Sequence, residues 1–473
     1  MNWQVALPEI ALSVMGMLIL IFGVLSKSEQ ARTATMMSVG ALLITGFLVL
    51  TRNNGVGFHG QFTVDAFAKL IKALVLVGSA LTLIVSIDSN RLQGIGRFEF
   101  PVLILFATVG MMGMASASNL ITLYLSLELM SLASYVLAAF ARDDVRSSEA
   151  GLKYFVLGAL ASGLLLYGIS LVYGFSGSMD FAVIERGLAS PGSASPGMIV
   201  GVVFVIVALA FKVSAAPFHM WTPDVYEGSP TPVTLFFATA PKVAAVGLFL
   251  RTLSEPFGHL LGSWRLIIEI ISIVSMVLGA LAAIGQTNIK RLMAYSAIGH
   301  VGYALIGLAV GGPVGIRGVL VYMTVYIIMT GGTFACIIAM RRRGIAVEKI
   351  EDLGGLASTD PALALAFAVF MFSLAGIPPL SGFFAKLYVF LAAVDAGMWT
   401  IAVIGVLTSV VGSYYYMHVV KVMYFDPARP AFDRKPTGVT FVAAITALYT
   451  LLFFVFPGPF VAAANAAAAA LFG

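Results

Sequence analysis

The sequence predicts an all-α polytopic membrane protein of about fourteen transmembrane helices. Three observations predict it. Of 473 residues, 60% are hydrophobic and only 10% charged, whereas a soluble domain carries about 25% charged residues. The mean hydropathy is +1.00. Apolar stretches of spanning length also recur along the whole chain. No ordinary fold in water hides this much apolar surface, because surface grows with size and has to be wetted.

A spanning helix needs about 20 apolar residues. The stretches that meet this run at 4–25, 33–51, 65–87, 98–117, 119–140, 153–175, 197–218, 231–252, 264–286, 293–311, 316–340, 361–394, 399–424 and 437–461. The segment 361–394 holds Pro378-Pro379 at its middle and reads as one broken helix. No connecting loop is long enough for a soluble domain, so 1–473 reads as a single membrane domain. The start, Met1-Asn2-Trp3-Gln4, has no basic region, so a cleaved secretory signal is not expected.

Loop charge supports this count. With loops numbered in order, the odd ones hold 15 cations: Lys27, Arg32, Arg91, Arg97, Arg142, Arg146, Lys290, Arg291, Arg341, Arg342, Arg343, Lys349, Arg429, Arg434 and Lys435. Even loops hold 5, namely Arg52, Arg186, Arg251, Arg265 and Arg317. A missed helix would scramble this alternation. Positive loops stay cytoplasmic, which puts both termini on the outer, periplasmic side. The net charge of +5 is spread along the chain, with no basic face for nucleic acid. The single cysteine, Cys336, excludes internal disulfides and thiolate-bound metal or Fe–S sites.

Charges inside spans cost about 2.5–3.5 kcal/mol each on insertion scales, and residues kept at that cost face a partner or a wet path. Glu128 lies mid-span in the fifth stretch, in Leu125-Ser126-Leu127-Glu128-Leu129. Lys212 stands five residues before Pro217, and Lys242 directly follows Pro241. Lys386 follows the Gly376-Ile377-Pro378-Pro379 break. Breaking a helix frees backbone groups, tolerated in a bilayer only within protein or around water. Lys153 opens the sixth span near the Arg142-Asp143-Asp144 loop and is within snorkelling reach of the surface. His300 sits one to two turns inside the tenth span, where it serves as a relay or as a packed core residue. Glu9, Asp65, Lys69, Lys72, His418 and Lys421 lie nearer span ends and read as interface anchors, and Glu269 is one turn from Arg265.

Burial disfavours the charged form of a titratable group and an opposite charge favours it. Amines and carboxyls in balance between the two exchange protons near neutrality. A line of them across several helices makes a proton wire. The broken helices with Lys212 and Lys386 are each the fourth of five spans, in spans four to eight and nine to thirteen. An odd repeat length inverts the second copy, a common transporter design. The repeats fall at about 98–252 and 264–424, with flanking helices at 4–87 and 437–461.

These residues resemble the antiporter-like membrane subunits of respiratory complex I, the NADH:quinone oxidoreductase, over nearly the whole chain. The likeness is strongest in Phe211-Lys212-Val-Ser-Ala-Ala-Pro217 through Asp224-Val-Tyr226-Glu227-Gly228-Ser-Pro230-Thr-Pro232, in Gln286 to Tyr303, and in Leu374 to Lys386. Tyr226-Glu-Gly-Ser-Pro-Thr-Pro-Val and Leu7-Pro8-Glu9 are similar to the subunit N branch. The resemblance implies a fourteen-helix fold with two inverted five-helix repeats. It implies a proton-pumping relay: Glu128 and Lys212 as the input pair, Lys242 as the central relay, Lys386 on the outlet side, and Lys153 and His300 in support. It further implies a bacterial inner-membrane location beside lipids, antiporter-like subunit M and small subunits K, J and A. NADH, FMN, Fe–S clusters and quinone would be handled by partner subunits, and this chain would hold no cofactor. A secondary cation/proton antiporter shares the broken-helix lysines, but the Tyr226–Thr234 block favours complex I. A purely structural scaffold explains neither the mid-span charges nor the paired breaks.

Overall fold

A computed structural model describes residues 2–26, 30–190, 192 and 194–472. Lys27, one of the odd-loop cations, lies outside them. The chain is a bundle of helices, in order α1 (Leu7–Leu25), α2 (Ala31–Thr51), α3 (Ala66–Leu92), α4 (Glu99–Ser116), α5 (Leu120–Ala138) and α6 (Val145–Ser176). Next come α7 (Phe181–Leu188), α8 (Pro196–Val213), α9 (Thr222–Gly228), α10 (Thr231–Ala238), α11 (Ala240–Ser254), α12 (Leu261–Ile284) and α13 (Ile289–Val310). The last are α14 (Gly312–Ile338), α15 (Leu356–Thr359), α16 (Pro361–Ala375), α17 (Ser381–Asp395), α18 (Trp399–Phe425), α19 (Thr437–Leu452) and α20 (Gly458–Ala469). Two short antiparallel hairpins join helices: β1 (Gly55–Gly57) with β2 (Phe62–Val64), and β3 (Arg341–Arg342) with β4 (Ile345–Ala346).

Starts and stops follow local chemistry. Asp65, Asn119, Asp144, Ser195, Asn288 and Asp360 cap α3, α5, α6, α8, α13 and α16 by accepting from free first-turn amides. Among the described residues, twelve helices, counting α10 with α11 as one, are long and apolar enough to cross a membrane. The others of spanning character are α16, α17 and α19. At 15 residues each, α16 and α17 rise about 22 Å apiece, short of a hydrocarbon core of about 30 Å. They make one broken span, as the sequence predicts.

Two predicted spans differ in detail. The eighth is not one straight helix: it is interrupted at Thr239 (φ −115°, ψ −93°), because Pro241 cannot donate to the preceding turn. The fourteenth stops at Leu452, and α20 starts only after Pro457.

The centre is α14 with α10 and α11. The apolar stretch of α10–α11 is wholly buried and that of α14 is 94% buried. Helix α14 packs against α3, α10, α13, α16, α17, α19 and α20. The outer helices α1, α2, α6 and α18 leave leucine, valine and phenylalanine side chains uncovered, such as Leu43, Phe47 and Leu50. Lipid is the natural cover for such a surface. Odd loops gather on one face, where residues of loops three, five, seven, nine and eleven line a common cleft. Even loops meet on the other, as in the Arg251–Asp65 and Ser118–Gly60 contacts.

Some charges read as anchors are buried partners. Lys72 (1% exposed) pairs with Glu9 of α1 at 2.7 Å. Arg251, fully buried, pairs with Asp65 at 2.7 Å and Glu255 at 3.1 Å. Arg265 does not pair with Glu269: its guanidinium turns to the carbonyls of Ala309 and Val310, which end α13.

Candidate functional site

The site grows out of two broken helices. Helix α8 ends when Ser214 takes a left-handed conformation (φ 66°), three residues before Pro217. Its last carbonyls find partners within the protein. Ala210 O accepts from Ala215 N at 2.8 Å, and Phe211 O accepts from the Trp221 indole at 3.0 Å. Val213 O accepts from Lys242 Nζ at 3.2 Å. Helix α16 ends the same way, at Gly376 (φ 90°) ahead of Pro378-Pro379. Its Leu374 and Ala375 carbonyls accept from Lys386 Nζ at 3.2 and 2.8 Å. Each break therefore closes on the ammonium of a buried lysine from further along the chain, Lys242 of α11 for the first and Lys386 of α17 for the second. A helix C-terminus attracts a cation.

Three groups of residues are assembled. In the first, Lys212 (7% exposed) donates to Ser131 Oγ at 2.7 Å and Tyr135 OH at 3.3 Å. Glu128, partly exposed, accepts a short hydrogen bond from Ser162. Ser131 Oγ itself donates to the Leu127 carbonyl. Glu128 and Lys212 form no direct ion pair. Glu128 bonds to the Ser162 hydroxyl, and Lys212 to those of Ser131 and Tyr135.

In the second group, Lys242 (2% exposed) holds Ser214 Oγ at 2.9 Å as well as Val213 O. The Tyr226 ring lies 5.8 Å from its ammonium. Ser214 thus stands two residues after Lys212 in sequence and bonds to the second lysine. In the third group, Lys386 adds Ser409 Oγ at 2.8 Å and lies over the Tyr303 ring at 4.9 Å. His300 (2% exposed) places Nδ1 2.6 Å from Tyr322 OH and Nε2 3.1 Å from Tyr416 OH. Tyr416 continues to Ser296 at 2.5 Å. His300, Tyr303, Lys386, Ser409 and Tyr416 surround a cavity of about 10 Å³, room for about one water.

Lys153 stands apart. Its side chain is 41% exposed and pairs with Asp224 and Glu149, both at 2.7 Å. Asp224 also binds Arg291 at 2.7 Å, so Lys153 belongs to a surface ion network on the odd-loop face. Residue-by-residue reading missed the hydroxyls of Ser131, Tyr135, Ser162, Ser214, Ser409 and Tyr416. Ser131 and Tyr135 had a signal: they follow Glu128 by three and seven positions, on one helix face. Among the described residues, no group of three or more His, Cys, Asp or Glu could hold a metal ion.

Such an arrangement can pass protons. Hydroxyls both donate and accept, and each lysine holds at least one hydroxyl in its bonding set.

Comparison with known proteins agrees. The model of the NADH:quinone oxidoreductase/Mrp antiporter transmembrane family matches residues 117–412. NADH-quinone oxidoreductase subunit N of Granulibacter bethesdensis is 62% identical, with 100% of each chain covered. Among solved structures, a chain of respiratory complex I from Thermus thermophilus with bound aureothin has a TM-score of 0.83 at 33% identity, covering 97% of this chain and 100% of that one. A chain of the Mrp complex from Dietzia sp. DQ12-45-1b has a TM-score of 0.86 at 24% identity over 100% of this chain and 98% of that one, a likeness of fold alone. With its broken helices, its buried lysines and full-length relatives, this chain belongs to the antiporter-like membrane subunits of NADH-quinone oxidoreductase, in the subunit N family.

Proposed function

We propose that this chain moves protons across the bacterial inner membrane through Glu128, Lys212, Lys242 and Lys386, driven by NADH-to-quinone electron transfer in partner subunits. The single observation that carries this reading is the closure of both broken helices on buried lysine ammonium groups. In a low-dielectric interior a lone ammonium is costly. Terminal carbonyls and hydroxyls offset that cost and leave each amine able to give up its proton to a neighbour.

The order of events in this reading runs from inlet to outlet. Glu128 takes a proton and passes it through Ser162 and Tyr135 to Lys212. Loss of charge on Lys212 changes the field at Lys242, whose partner Ser214 lies two residues along the chain. From Lys242 the charge moves toward His300 and then Lys386, the outlet. Lys153 supports the inlet by fixing Asp224 and the second half of the first broken span. Residues 98–252 and 264–424 act as two inverted halves, each opening to one face. Both chain ends face the periplasm, by the excess of Lys and Arg in odd loops. Neighbours are antiporter-like subunit M, small subunits K, J and A, and lipid. NADH, FMN, Fe–S clusters and quinone belong to other subunits.

The test is paired. Complex carrying Lys212→Ala or Glu128→Ala is checked for assembly, then assayed for NADH-driven quinone reduction and for proton pumping. Assembly is expected to survive while both rates fall severely. Normal rates in assembled complex would remove these residues from the path.

A further inference from the structure

On the odd-loop face, a cleft of about 800 Å³ opens between the ends of the spanning helices. Six cations line it: Arg97, Arg142, Arg146, Lys290, Arg341 and Lys349. Four carboxylates line it too, and three are engaged. Asp144 caps α6, Glu227 pairs with Arg291 and Glu348 pairs with Lys290. Asp143 is the fourth.

Arg341 is the unusual member. It is 5% exposed, yet no carboxylate lies within ion-pair distance of it among the described residues. One nitrogen of its guanidinium donates to Gly344 O at 3.0 Å, and another reaches Ser89 O only at 3.4 Å. Its Nε has no partner. Asp433 is committed elsewhere: it accepts from the amides of Arg343 and Gly344, and these hold its carboxyl below the usual range. The charge of Asp433 therefore acts on Arg341 only at a distance; a buried guanidinium without a directly bonded carboxylate is costly, and the planar fork of arginine matches a phosphate. Arg97, Arg142 and Arg146, all exposed, likewise have no ion-pair partner among the described residues.

The surroundings say which phosphate. Leu92 (52% exposed) and Ile345 (71%) line the same cleft, and Val145 beside Arg146 is 81% exposed. Aliphatic side chains bared next to arginines at the ends of spanning helices suit the boundary between headgroups and acyl chains. A soluble anion has no use for them.

We propose that this cleft binds the phosphate headgroup of an anionic phospholipid, with Arg341 at its floor and Arg97, Arg142 and Arg146 around its mouth. Its acyl chains lie along Leu92, Val145 and Ile345.

The experiment uses the assembled, delipidated complex in detergent. It is titrated with short-chain phosphatidylglycerol, and bound lipid is counted by native mass spectrometry. Parallel arms use phosphatidylcholine and inorganic phosphate. Affinity for phosphatidylglycerol is expected to fall about tenfold, equivalent to about 1.4 kcal/mol, in Arg341→Gln and in Arg142→Gln. Arg142 is exposed, so that variant keeps the test valid if Arg341→Gln does not assemble. Phosphatidylcholine is expected to bind all forms alike. Unchanged phosphatidylglycerol binding in the assembled variants would overturn the proposal. Displacement of the lipid by an equal concentration of inorganic phosphate would overturn the lipid as ligand and leave a soluble phosphate.

Discussion

Replacing Lys386 with methionine is expected to leave the complex assembled and to cut NADH-driven quinone reduction and proton pumping at least about tenfold. Methionine keeps the reach of the side chain and its packing against the Tyr303 ring, and removes the ammonium. It takes the ammonium donor from the Leu374 and Ala375 carbonyls and the Ser409 hydroxyl, leaving Ala375 O only the Ser409 hydroxyl at 3.5 Å. Each unsatisfied buried group costs about 1–3 kcal/mol, a loss that a large helix bundle survives. The chemical loss is of another kind, because among the described residues no other amine reaches the end of α16. A tenfold loss of rate corresponds to about 1.4 kcal/mol in the barrier. The relay reading asks for at least that, since the only cation in the third group is gone. The assay is quinone reduction and pumping in membranes matched for assembled complex.

Replacing Gly382 with alanine is expected to remove most of the assembled complex. A β-carbon there would lie 1.9 Å from the Ser373 carbonyl oxygen. The obstacle is backbone and cannot swing aside. Gly382 N also donates to Ser373 Oγ at 3.0 Å, so the two halves of the broken span are locked at this point. Forcing them apart costs about 3 kcal/mol or more and displaces Lys386 one turn away. Gly163→Ala serves as the control, because a β-carbon at that position meets nothing within 4 Å. Native-gel levels of the complex are expected to be near normal for Gly163→Ala and low for Gly382→Ala.

Much of this design was legible in the residues alone, for physical reasons. A mid-span charge is expensive, so Glu128, Lys212, Lys242 and Lys386 stand out against apolar neighbours. Prolines 217, 378 and 379 announce breaks because they cannot continue a helix. Hydroxyls are different. Serine, threonine and tyrosine are tolerated throughout spanning helices, so Ser162 and Ser409 carry no mark until the fold brings them to a carboxylate or an amine. The buried Glu9–Lys72 pair was hidden by position, since both residues lie close to span ends, where a charge normally reaches water. The interruption at Thr239 was hidden because a single Pro241 reads equally well as the start of a helix or as a kink within one. Lys153 shows the reverse: its place at a span start suited either role, and the fold gives it two carboxylate partners, exposed Glu149 and half-buried Asp224.

The central claim is that the lysines must lose and regain a proton, not simply hold a charge. The most direct test compares Lys242→Arg with Lys242→Met in assembled complex. Arginine keeps the positive charge on the end of α8 but is not deprotonated in proteins. The account predicts that both variants fall alike, with pumping and quinone reduction each reduced at least about tenfold. Near-normal pumping in Lys242→Arg, with loss only in Lys242→Met, would show that a fixed charge suffices and would contradict the relay.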